Sequence, residues 1–296
     1  LDAVALAARA TALLARRRIG ASPSAEPGDH DEAELVEQAR QATDLEAELV
    51  EQARRATDVE TGLWVLTRLA EWSFRHDLAA GAALAADAYE YAARNGARSS
   101  VHGVWARETL TLCRLLIGDW DDVIALATDD PLPVNDLTVG AVSLEAQVQI
   151  HRGEVAVARR RLELADRVVP DALSRAFVGI AWVSLHLAEH DPVAAVESSV
   201  DRLAQLPRSP NHLPIEASLV ARAMAALTDA HDLGLRPPRA SKLLAAADRI
   251  VEAASELTES HTSSPLSLLV AQRSRLERSD AELWRRAVAL RAERPF

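Results

Sequence analysis

Two histidines four residues apart are the first feature of this sequence that could do chemistry. His186 and His190 would share a face if both lay on one helix, and Glu189 stands beside them. A zinc hydrolase needs an acid directly after the first histidine, to act as base toward a metal-bound water. Leu187 occupies that place, and His190 falls in the turn Glu189-His190-Asp191-Pro192, where a helix should end. Solvated or capping histidines are therefore expected, with no metal site. Cys113, the only cysteine, lies among Leu110, Leu112, Leu115 and Leu116 and reads as a packed thiol. No serine stands in a Gly-x-Ser-x-Gly elbow. The single lysine, Lys242, follows Ser241 with no glycine nearby, so there is no phosphate-binding loop. No dinucleotide fingerprint and no basic recognition helix is visible. Catalytic residues: none are expected, nor any cofactor, and an enzyme with an unrecognised site is a remote alternative.

Behind these residues lies a strongly helical composition. Hydrophobic residues make up 49% of 296 and aromatics only 4%, so the core must be built from Ala, Leu and Val. Eleven Gly and 13 Pro supply too little turn chemistry for a many-stranded β protein. The net charge of −11 repels phosphate backbones, so no direct nucleic-acid contact is expected. One cysteine excludes an internal disulfide and suits a cytoplasmic location. No apolar run is long enough to span a membrane.

Residues 1–30 read as a short helix followed by a Pro/Ser/Gly linker. Residues 31–58 hold a tandem duplication. DEAELVEQARQATD (31–44) is followed by LEAELVEQARRATD (45–58), which differs at two of fourteen positions. Each copy ends in a capping-box pattern, Thr43 with Glu46 and Thr57 with Glu60. Nine acids against three arginines imply that much of this segment faces water. A recent duplication that lengthened a helix or its loop explains it more simply than a coiled coil does.

From residue 59 to 296 the chain reads as paired helices. His76-Asp77-Leu78 leads into Gly81, Ala85 and Ala88, and Gly118-Asp119-Trp120 into Val123 and Ala127. Gly153-Glu154-Val155 leads into Ala158, Leu162 and Ala165, and His190-Asp191-Pro192 into Ala195. These turns are 42, 35 and 37 residues apart. A fifth unit, His231-Asp232-Leu233 with an inserted Pro237-Pro238, leads into Ala240, Leu244 and Ala247. Offsets of three and four put such residues on one helical face, where small side chains let a second helix approach. One hairpin cannot bury its apolar face alone; stacked neighbours can.

This pattern resembles tetratricopeptide repeats, best in the Gly153 unit, where Ala146, Ala158, Leu162, Ala165 and Pro170 match. The Gly118 unit departs with Asp130 in an alanine position, and the His190 unit with Ser199 and Arg202. The fold expected is an all-α, tetratricopeptide-like α-solenoid of antiparallel helix hairpins. Over residues 60–296, RNGARSSVHGVWARETLTLCRLLIGDWDDVIALA, RGEVAVARRRLELA and SDAELWRRAVALRAERPF resemble the C-terminal helical-repeat region of large ATP-binding LuxR-type transcriptional regulators. The resemblance implies a nucleotide-binding switch domain upstream and a helix-turn-helix domain downstream. The segment between them would be a non-catalytic sensor or scaffold. A protein partner or small effector in the groove would bias the stack between two curvatures. A stand-alone adaptor is the alternative, and an uncapped terminal hairpin would leave it open to self-association. By repeat register Trp105 faces the groove, Glu108 follows one turn later, and Gln147 holds a comparable face in the next unit. These three are the groove candidates, although packing between helices is the plainer role for Trp105. Trp64, Trp72 and Trp120 are expected in packing positions.

Overall fold

The computed structural model describes residues 46–74, 77–168, 171–206, 213–255, 263–276 and 280–293. The linker expected in 1–30, the first duplicated copy, His76 and Pro170 lie outside them. Every regular element among these residues is a helix. In chain order they are α1 (46–54), α2 (Val59–Ser73), α3 (Leu78–Arg94), α4 (Val101–Ile117), α5 (Trp120–Asp129), α6 (Val139–His151) and α7 (Val155–Ala165). Then come α8 (Ala172–Ala188), α9 (Pro192–Leu203), α10 (Leu213–Asp232), α11 (Ala240–Ser255), α12 (Ser263–Ser274) and α13 (Ala281–Glu293). The chain divides into two compact units, residues 1–113 and 114–296, with the boundary inside α4.

Helix starts follow local chemistry. Asp58, Asp77, Asp171 and Asp191 each accept the backbone N–H three residues on, satisfying a donor the new helix leaves open. Pro192 then opens α9, where no N–H is needed. The capping box expected at Thr57 is not used: Asp58 caps α2 by accepting from the Thr61 N–H. Its partner Glu60 turns instead to His102 on α4.

Helix ends follow one device used five times. The N–H groups of Ala97, Asp119, Glu154, Asp191 and Leu235 donate to the carbonyls five residues back, at 2.8–2.9 Å. The residue before each donor has positive φ: Gly96, Gly118, Gly153, His190 and Gly234. These are Schellman closures, which need a left-handed residue and favour glycine. The fourth alone carries a side chain, His190 at φ 58°.

In the first unit, α1 joins the α2–α3 hairpin. Leu49 and Ala53 are fully buried and Val50 nearly so, packed with Leu63, Leu66, Leu69, Ala88, Tyr91 and Ala106. The second duplicated copy therefore does not simply face water; its apolar residues complete this core.

The second unit is a succession of hairpins. The first helices α6, α8, α10 and α12 pack on one another in a row, and each also packs on its own second helix, α7, α9, α11 or α13. Each of α7, α9 and α11 touches the next first helix as well. This is the all-α stack of helix hairpins that the spacing predicts. The burial pattern follows from it. Helix α6, wedged between neighbours, buries every residue from Val139 to Ile150, whereas α7 buries only Ala158, Leu162 and Ala165. In α11 the buried stripe is Leu243, Ala247 and Ile250 rather than one running through Ala240 and Leu244. Both of those are only partly buried against the same core.

Candidate binding surface

In the first unit Trp105 is half-buried on α4. The Arg68 guanidinium lies 5.5 Å from its ring centroid, and the His102 ring meets it edge-on at 5.2 Å. Arg68 pairs with Glu71 at 2.5 Å, and His102 Nδ1 lies 2.6 Å from Glu60 Oε2. Trp105 thus joins α4 to α2 through cation–π and aromatic contacts while keeping part of its surface. Glu108 follows it on α4, also half-buried. Gln147 belongs to the second unit and is 4% exposed on α6. It stands six residues before the Gly153 closure, as Ser184 stands before His190 and Thr228 before Gly234, and all three are buried. A polar side chain thus recurs at one register of three successive first helices.

The two sides of α8 carry different chemistry. On one side, Trp182 has the guanidiniums of Arg159 (α7) and Arg202 (α9) at 5.7 and 5.8 Å from its ring centroid, and His186 stacked at 5.5 Å. Arg159 is held by both Glu189 oxygens, Nε at 3.1 Å, and Arg202 by both Asp166 oxygens at 2.9 and 2.8 Å. Paired bidentate forks fix these planes over the indole. Burial of the His186 ring lowers its pKa; Arg159 and Arg202 act in the same sense, against Glu189 and Asp191. This side knits one hairpin to the next. His190 is exposed in its closure, and no group of three potential metal ligands occurs among the described residues.

On the other side, the row of first helices carries a polar strip. Arg222 on α10 donates to Ser184 Oγ on α8, and Ser184 in turn donates to the Ile180 carbonyl at 2.8 Å. His151, in the last turn of α6, stacks on Trp120 with ring centroids 5.3 Å apart and planes at 14°. His151 is exposed as a residue, yet neighbouring atoms strip solvent from the ring and lower its pKa, and the Arg222 charge acts in the same sense. Arg222 is half-buried and His151 open, so this strip sets a cation and an imidazole of lowered pKa beside the Ser184 hydroxyl. Such a set suits reversible polar recognition.

Sequence reasoning passed over Arg222 and His151. Arg222 is the only charged residue between Leu219 and Leu227, and that isolation in an apolar stretch was the available signal.

No protein-family model, no curated protein and no solved structure matches the chain. Among the described residues no helix is long and apolar enough to cross a membrane.

Proposed function

We propose that the chain is a non-catalytic helical-repeat binding segment. In this reading a peptide or small effector lies along the first helices of the second unit's hairpins. The segment is the sensor or scaffold arm of a signal-responsive transcriptional regulator of the ATP-binding LuxR type. The observation that carries the binding reading is the Arg222–Ser184 hydrogen bond, which joins the first helices α10 and α8, with His151 at the end of α6 within electrostatic reach of Arg222. A ligand bridging these helices would contact elements that otherwise touch only neighbour to neighbour, and so would bias how they pack. Besides its bond to Ser184, the Arg222 guanidinium has further N–H donors suited to an acid-bearing ligand, such as a carboxylate metabolite or an acidic peptide segment. The regulator assignment rests on the sequence resemblance alone.

The test is a thermal-shift panel of carboxylate metabolites and acidic peptides on the parent protein and on Arg222→Met. Binding in the strip predicts concentration-dependent stabilisation of the parent that Arg222→Met loses at least tenfold in apparent affinity. Equal stabilisation of both proteins by every active compound would refute this site.

A further inference from the structure

We propose that the seat of α1 in the first unit is a docking site for either copy of the duplicated sequence, with residues 31–44 exchanging into it and releasing 45–58. The seat is defined by its present occupant. Leu49, Val50 and Ala53 fill the apolar part, Arg54 pairs with Asp87, and Ser73 donates to Glu46 Oε1 at 3.0 Å. Gly62 admits the α1 backbone: a Cβ there would lie 2.6 Å from the Ala53 carbonyl oxygen.

Every one of these occupant residues recurs fourteen positions earlier. Leu35, Val36, Ala39, Arg40 and Glu32 stand for Leu49, Val50, Ala53, Arg54 and Glu46. The copies differ only at Asp31/Leu45 and Gln41/Arg55. Of these, Arg55 has a side chain 75% exposed that pairs with Glu51 one turn back. Leu45 lies outside the described residues; nothing described in the seat distinguishes the two copies, so the chain carries two closely matched ligands for one site.

What separates them is the connector to α2. With the second copy seated, residues 55–58 make the connection; with the first seated, residues 41–58 must close it. The loop-closure cost grows as three-halves RT times the logarithm of length, so the probability of closure falls as its three-halves power and favours the second copy by about tenfold. The exchanged state is therefore a minor but standing population.

Cross-linking reads the two occupants separately. In the full chain with Cys113→Ser, which removes the only native cysteine, Arg54→Cys/Asp87→Cys reports the second copy and Arg40→Cys/Asp87→Cys the first. With a short bis-maleimide, the Arg40→Cys pair should link within one chain at about a tenth of the initial rate of the Arg54→Cys pair. Adding Leu49→Asp should raise that rate to the level of the Arg54→Cys pair, and adding Leu35→Asp should abolish it. The proposal is overturned by no intrachain link from Arg40→Cys, by links only between chains, or by a rate that Leu35→Asp leaves unchanged. Should Leu49→Asp fail to fold, the Leu35→Asp comparison alone decides the matter.

Discussion

Replacing His190 by glycine should stabilise the second unit by about 1 kcal/mol. His190 holds φ at 58° in a closure whose four counterparts are glycines, and it makes the same backbone bonds they do. A side chain in left-handed backbone costs about 1–2 kcal/mol. Glycine removes that strain but adds about 0.5–1 kcal/mol of chain entropy to the unfolded state. The difference spans about 0–1.5 kcal/mol and centres a little under 1 kcal/mol. Because the His190 side chain is exposed, little packing is lost with it. The reciprocal change, Gly153→His, should cost about as much, since a Cβ at Gly153 meets nothing within 4 Å and only the backbone term applies. Urea unfolding of both variants and the parent provides the assay. The midpoint should rise for His190→Gly and fall for Gly153→His, with the denaturant slope unchanged. A lower midpoint for His190→Gly would show that the imidazole contributes something the backbone argument omits. An unchanged midpoint for Gly153→His would refute the left-handed closure itself.

Leu162→Ala removes the central member of the α7 stripe, fully buried against α6 and α8, and should cost about 3 kcal/mol in urea unfolding. Arg161→Met should cost about 3 kcal/mol because it strips the 2.6 Å partner from the fully buried Glu145. The double variant Arg161→Met/Glu145→Leu should recover part of that loss. His151 and His186 have folded pKa values below the ordinary 6.5, so the unfolded chain binds their protons first. Their contribution is complete above pH 6.5 and is lost as pH falls through the folded values. The second unit's unfolding midpoint should therefore drop between pH 7 and 5, and drop less in His186→Gln. Histidine NMR titrations should place both transitions below 6.5.

The hairpin stack was legible wherever a helix keeps one face in water. On α7 the contrast between Ala158, Leu162, Ala165 and the arginines around them is the amphipathic signal itself. On α6 no such contrast exists, because neighbours enclose the helix and bury Glu145, Gln147 and Gln149 along with the apolar residues. On α11 the adjacent Leu243 and Leu244 leave two faces open, and only the position of α10 selects Leu243. Thr57 and Asp58 are both good caps in neighbouring positions, and local backbone geometry decides for Asp58. The polar strip was least legible. Ser184 and Arg222 are 38 residues apart, and their meeting depends on how α8 packs against α10 rather than on either helix alone. Repeat register marks out Trp105, but its contacts with Arg68 and His102 come from a separate helix and from the first turn of α4.

The regulator reading is tested most directly by the coding sequence on both sides of this segment in its source genome. The account predicts a phosphate-binding loop of the Gly-x-x-x-x-Gly-Lys-Ser/Thr type upstream and a helix-turn-helix downstream, in one open reading frame. A start codon immediately before Leu1 and a stop codon immediately after Phe296 would contradict it and leave a free-standing adaptor.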